Sequence, residues 1–189
     1  MILLYTKNMI VAQAIMYLSN SMGMNNIYHF KDRNIFLMCS VIFDQAIKII
    51  DVIDRYSYSD AGWLAGTLDK RKIKKTHYIA QKSRFYHHDI RKDVIVDVQE
   101  LTKLLAKLKR QKPLTITEAI ERKLPPTYFD FVIEDALKPE KKGCTQTMRE
   151  YTSYIGIKYR VRQKLNIKNR IQYEILLGLI REDINKFAV

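Results

Sequence analysis

Nine basic residues, Lys141, Lys142, Arg149, Lys158, Arg160, Arg162, Lys164, Lys168 and Arg170, stand between positions 141 and 170, with Glu150 as the single acidic residue among them. That stretch holds a net +8 of the chain's formal +13. Charge gathered this way suits a polyanion, because ammonium and guanidinium groups neutralise phosphates and donate hydrogen bonds to their oxygens. An α-helix fits the major groove of DNA, where Arg and Gln side chains read base edges while Lys, Arg and hydroxyl groups bind phosphates and set register. Arg149, Thr152, Ser153, Lys158 and Arg162 fall on helical faces suited to that task. With Lys141, Lys142, Arg160, Lys164 and Lys168 they form the candidate DNA-binding set. A solvated basic helix is the plain alternative.

Other chemistry is thinner. Asp44, Asp51 and Asp54 could form a carboxylate metal site, since Asp51 and Asp54 share a face if the segment is helical. His77, His87 and His88 with Cys39 lack the spacing of a metal site, and adjacent histidines point in different directions on any regular element. Cys39 sits in an apolar run and reads as a small buried hydrophobe. Trp63, Tyr56, Tyr58 and Phe85 read as core or interface aromatics. A second basic run, Lys70, Arg71, Lys72, Lys74 and Lys75, lies in a stretch without clear periodicity. No cofactor and no metal is expected.

These residues need elements to position them. Residues 1–6 read as a strand, and helical spacing follows through Ile10, Ala14, Tyr17 and Leu18 up to Gly23. Residues 26–30 and 34–41 read as short strands, the second apolar enough to be buried on both faces. Phe43, Ile47, Ile50 and Ile53 suggest a helix over 43–56. Residues 77–80 and 93–98 read as strands, and Leu101, Leu104, Leu105 and Leu108 place a leucine stripe on the helix after them. Alternating strands and helices imply an α/β domain with a parallel sheet over residues 1–112. Beyond Pro113 the reading is helical throughout, over 113–189. Thr115 and Glu118 have capping-box spacing, Pro125-Pro126 starts a second helix, residues 145–164 form a third, and 170–187 a last amphipathic one with Ile171, Ile175 and Leu179 on an apolar face.

At 189 residues and 47% hydrophobic content the chain can bury real cores. Two cysteines give no disulfide framework, which suits a reducing cytosol. No run approaches the roughly eighteen apolar residues of a membrane span, and no basic segment precedes the first apolar stretch as a secretory signal requires. A cytoplasmic protein without membrane association is expected.

Tyr159-Arg160-Val161-Arg162-Gln163-Lys164-Leu165-Asn166-Ile167-Lys168-Asn169-Arg170 resembles the recognition-helix end and following turn of the LuxR/FixJ-type helix-turn-helix. The opening Met1-Ile2-Leu3-Leu4-Tyr5-Thr6-Lys7-Asn8 looks like the start of the enterobacterial acid-resistance regulator group, which joins a degenerate receiver-like domain to such a DNA-binding domain. Together the two stretches touch about a tenth of the chain. Lys138-Pro139-Glu140-Lys141-Lys142-Gly143 departs from the Ala- and Ile-rich scaffold helix of that family. The Thr that opens its recognition helix is matched by Ser153 or by Thr147. The resemblance implies a receiver-like, flavodoxin-like N-terminal domain, a helix-turn-helix C-terminal domain, and a bacterial transcription regulator acting as a homodimer or as a heterodimer with a related regulator.

An active receiver needs acidic residues after its first strand for Mg²⁺, an Asp ending its third strand and a Lys after its fifth. Here Tyr5-Thr6-Lys7-Asn8 follows the first strand, the expected third strand ends Met38-Cys39-Ser40 with Asp44 beyond it, and Asp97-Val98-Gln99-Glu100 follows the fifth. Regulation independent of phosphorylation is therefore expected, with no catalysis. A small metal-dependent nucleic-acid-processing enzyme and a basic adaptor that binds an acidic protein are the alternatives.

Overall fold

The computed structural model describes residues 1–53, 55–80, 94–95, 97–111, 114–137 and 148–187, with the backbone alone at 55–56, 148–151 and 187. Contacts divide the chain into two units, Met1–Leu114 and Thr115–Val189.

In the first unit, β1 (Ile2–Tyr5), α1 (Met9–Ser21), β2 (Ile27–Phe30), α2 (Arg33–Ile42), β3 (Ile47–Asp51), α3 (Arg55–Lys70), β4 (Thr76–Ile79), β5 (Val94–Ile95) and α4 (Val98–Arg110) follow one another. The strands form one parallel sheet of order β2-β1-β3-β4-β5, with Ile2 level with Ile27 on one side and Ile47 on the other. Strand alternation splits the core in two. Ile2, Leu4, Ile49 and Ile79 pack with Ile15 of α1 and Leu105 of α4. Tyr5 points the other way and meets Phe36 of α2, ring centroids 5.5 Å apart. The sheet is thus doubly wound, and full burial of a side chain such as Leu105 stabilises it by about 2 kcal/mol.

Two elements exchange the roles expected of them. Residues 34–41 form helix α2, not a strand, because Asp32 caps it: its Oδ1 accepts from the amides of Asn34 (2.7 Å) and Ile35 (3.0 Å). Residues 43–56 contain strand β3, not a continuous helix. Lys48 through Asp51 are all buried, and a strand covered on both faces shows no alternation from which its period could be read. Lys48 fits there because its ammonium donates to the carbonyl of Asp44 (2.6 Å). The third strand therefore ends at Asp51 rather than at Met38-Cys39-Ser40, so an acid does stand at the place where the sequence alone predicts none.

Helix α3 occupies sequence without clear periodicity, since exposed Gly62 and Gly66 interrupt a buried stripe of Ala61, Leu64, Ala65 and Leu68. Strand β5 covers less than the expected 93–98, and Asp97 instead caps α4 by accepting from Glu100 N–H at 2.8 Å.

The second unit comprises α5 (Ile116–Glu121), α6 (Pro126–Leu137), α7 (Met148–Lys164) and α8 (Arg170–Phe187). Thr115 and Glu118 make a reciprocal capping box at the start of α5. Ile120, Val132, Val161, Leu176 and Ile180 are buried in the core. The inward face of α8 runs through Tyr173, Leu176, Leu177 and Ile180, whereas Ile171, expected on the apolar face, is 71% exposed. Asp183 of α8 clasps α5 by accepting from both the amide (2.9 Å) and the hydroxyl (2.6 Å) of Thr117. Among the described residues no helix is long and apolar enough to cross a membrane.

Candidate nucleic-acid interface

Helix α7 ends in a turn with fixed geometry. Asn166 has φ +56°, its N–H donates to Gln163 O at 3.1 Å, and Ile167 N–H donates to Arg162 O at 2.8 Å. These two bonds, with a left-handed Asn after the helix and a buried Ile167 behind it, make a Schellman stop. Asn169 then caps α8, its Oδ1 accepting from Gln172 N–H at 2.9 Å, while Gln172 Oε1 accepts from Lys168 N–H at 2.8 Å. The Arg162 guanidinium donates to the carbonyl of Lys168 at 2.8 Å and closes the turn from the side. Five hydrogen bonds thus set the angle between α7 and α8 with little freedom left.

Val161 and Leu165 face the core, and the register of the helix follows from them. Thr152, Ser153, Gly156, Tyr159, Arg160, Gln163 and Lys164 lie exposed on the outward side, and Lys168 is exposed just past the turn. Among the described residues no carboxylate pairs with Arg160, Lys164 or Lys168. A β-carbon added at Gly156 meets nothing within 4 Å, so packing gives no reason for a glycine in mid-helix.

Two members of the expected set belong elsewhere. Lys158 has its ammonium 3.1 Å from Glu174 and 3.8 Å from the buried Asp135, over the face of Tyr173 at 4.6 Å. It ties α7 to α6 and α8, with its side chain 18% exposed. Arg162 is spent on the turn. Beside Lys158, Tyr154 donates to Asp135 at 2.9 Å; burial, then the nearby Glu174 charge, pushes its hydroxyl up to about 12. The side chain of Arg149 and all of Lys141, Lys142 and Thr147 lie outside the described residues. The structure thus brings Thr152, Ser153, Arg160 and Lys164 to one side of α7, leaves Lys168 exposed past the turn, and adds Tyr159, Gly156 and Gln163, which were not singled out from sequence. The signal for the division was present: Lys158 stands three residues before Val161, on the inward side.

The carboxyl edge of the sheet, where doubly wound folds place ligands, is occupied by the protein's own side chains. Asp60 of α3, 5% exposed, receives a hydrogen bond from the Tyr5 hydroxyl and ion pairs from Lys7 (2.7 Å) and Arg33 (2.8 Å). Burial acts to raise the Asp60 carboxyl, but hydrogen bonds from Lys7, Tyr5 and Arg33 outweigh it and hold the group below the usual aspartate range. Arg33 also lies 4.9 Å from the ring centroid of Trp63, which is 42% exposed and so is a surface aromatic stacked under a cation, not a core residue. Beside this cluster the fully buried Asp51 accepts from the Thr6 hydroxyl (2.6 Å) and from Ile53 N–H (2.8 Å). Sequence reasoning missed Asp60 and Arg33, whose meeting is created only by the crossovers.

The described members of the carboxylate trio, Asp44 and Asp51, do not share a helical face. Asp44 precedes β3 and Asp51 ends it, Asp51 is a strand residue rather than a helical partner of Asp54, and Asp54 lies outside the described residues. Among the described residues no three of His, Cys, Asp or Glu gather as a metal site. His87, His88, Phe85 and Cys144 also lie outside them. Cys39 is buried, which pushes its thiol well above the usual range. The chain matches no protein-family model, no curated protein and no solved structure.

Proposed function

We propose that the chain is a DNA-binding transcription regulator of the LuxR type, cytoplasmic and independent of phosphorylation, with α7 as its recognition helix and the first unit as a flavodoxin-like, receiver-like domain. One observation carries this reading. The outward side of α7 presents Thr152, Ser153, Arg160, Gln163 and Lys164 with no described acid among them, on a helix whose end is fixed by a Schellman turn. Arg and Gln are the side chains that read base edges, and Lys and hydroxyl groups hold phosphates. Tyr159 and Ile155, 60% and 47% exposed, supply apolar surface for thymine methyl groups. Gly156 lets the helix backbone approach its partner closely.

In the first unit the strand order is that of flavodoxin-like sheets. Mg²⁺ prefers carboxylate oxygens and keeps several waters. Asp51 already accepts from the Thr6 hydroxyl and from Ile53 N–H, and the residues that follow β1, Thr6-Lys7-Asn8, bring no carboxylate to share the ion. The remaining role of this unit is association. Helix α1 carries no charged side chain in 13 residues and exposes Ile10 and Tyr17 at 77% and 79%. A chain of +13 meets a second copy at least electrostatic cost where its surface is uncharged. Tyr17→Glu is expected to turn a sedimenting dimer into a monomer.

Repeated selection of bound molecules from a randomised duplex pool tests the function. It is expected to enrich two half-sites with centres about one helical turn apart. Recovery of unenriched sequence at every round contradicts a sequence-specific regulator.

A further inference from the structure

The chain's entire net charge lies in two short stretches. One is 141–170, at +8; the other is 70–75, where Lys70, Arg71, Lys72, Lys74 and Lys75 give +5, and the rest of the chain carries equal numbers of basic and acidic residues. This second stretch forms the turn between α3 and β4, in the first unit, away in sequence from the helix discussed above.

All five cations are exposed, and among the described residues none of them forms an ion pair. A favourable helix dipole accounts for Lys70 and Arg71 at the end of α3, but Lys72, Lys74 and Lys75 lie beyond its last turn. Backbone geometry makes their presence harder to attribute to chance. Helix α3 stops as α7 does: Lys72 N–H donates to Asp69 O at 2.9 Å and Ile73 N–H to Leu68 O at 3.0 Å. The residue after α7 in the left-handed region is Asn166, a type that tolerates it. The residue after α3 is Lys72 at φ +57°, and Lys75 adopts φ +63° three positions later. Glycine or asparagine is the low-strain choice at such positions. Two lysines are kept where the backbone disfavours them, in a turn held at both ends, since Lys48 N–H also donates to Lys75 O at 2.9 Å.

We infer that this turn is a second nucleic-acid contact, a sequence-neutral phosphate-binding site for duplex DNA in the first unit. Phosphate contacts need charge and N–H donors only, and the turn offers just those. Its one apolar residue, Ile73, is half-buried. A membrane-surface segment sets exposed apolar residues beside its cations, and a protein interface is centred on aromatic or aliphatic anchors; the turn has neither.

The test uses the full chain, a random-sequence duplex and fluorescence anisotropy across a salt series. Lys72→Gly/Lys75→Gly removes two charges and relieves two left-handed residues. Its thermal midpoint is expected to equal or exceed the parent's, while the slope of log K against log salt becomes shallower by about two. Arg71→Gln/Lys74→Gln, which alters no left-handed position, is expected to give the same change. The difference is also expected to persist when Arg160→Ala/Lys164→Ala is the parent, so the turn is judged separately from α7. Unchanged slopes in both pairs of variants overturn the inference. So does loss of binding to polyglutamate or to phosphatidylserine vesicles with the duplex slope intact.

Discussion

Lys7 and Arg33 at the edge of the sheet, and Arg160 and Lys164 on α7, are the same kinds of side chain in opposite company. The first pair is 41% and 45% exposed, yet both cations meet one buried carboxylate, Asp60. The second pair meets no described carboxylate and stands among hydroxyl and amide groups. Charge by itself therefore says little about function. What separates a cation that holds the fold from one available to a partner is whether the chain supplies its counter-ion. The same division runs within α7, where Lys158 and Arg162 turn inward and Arg160 and Lys164 outward.

Breaking the locked side of this comparison should affect stability and spare binding. Asp60→Ala leaves the Tyr5 hydroxyl buried without its acceptor and is expected to cost about 3 kcal/mol in urea unfolding, with duplex affinity unchanged. Lys158→Met is expected to cost about 2 kcal/mol by removing a cation from beside the buried Asp135, and to leave the salt dependence of duplex binding as it was. If that variant instead weakens binding while the fold is untouched, Lys158 belongs with the open set.

Acid sharpens the same contrast. Because the folded Asp60 carboxyl lies below its unfolded value of about 3.9, its stabilisation is complete above that pH and lost as pH falls through the lower folded value. Asp60→Asn is expected to lack that part of the acid loss when unfolding free energies are compared over an acidic pH series. The smallest effect concerns Gly156. Gly156→Ala is expected to raise stability by about 0.5–1 kcal/mol and to weaken duplex binding, which separates a glycine kept for a partner from one kept for the fold.

Much of the architecture was legible where local chemistry is decisive. The Thr115/Glu118 box, the leucine stripe of α4 and the break at 166–169 are short-range signals, and each has its counterpart in a cap, a buried face or a turn. The exchange of α2 and β3 was not legible from periodicity, because two adjacent apolar runs buried on most sides carry no clear period; only the cap at Asp32 distinguishes them. Within the candidate interface, Arg160, Lys164 and Lys168 could be found from charge. Lys158 and Arg162 could not be separated from them by charge, since Asp135 and Glu174 come from other helices and Arg162 reaches a carbonyl six residues on. The Asp60 cluster joins α3 to the end of β1 and the start of α2, so only the folded topology shows it.

The most direct test of an open cationic face on α7 is the salt dependence of duplex affinity for the full chain and for Arg160→Ala/Lys164→Ala. Removing two cations from the face turned to the duplex is expected to make the slope of log K against log salt shallower by up to about two, with the unfolding midpoint unchanged. An unaltered slope in a folded variant would contradict the account.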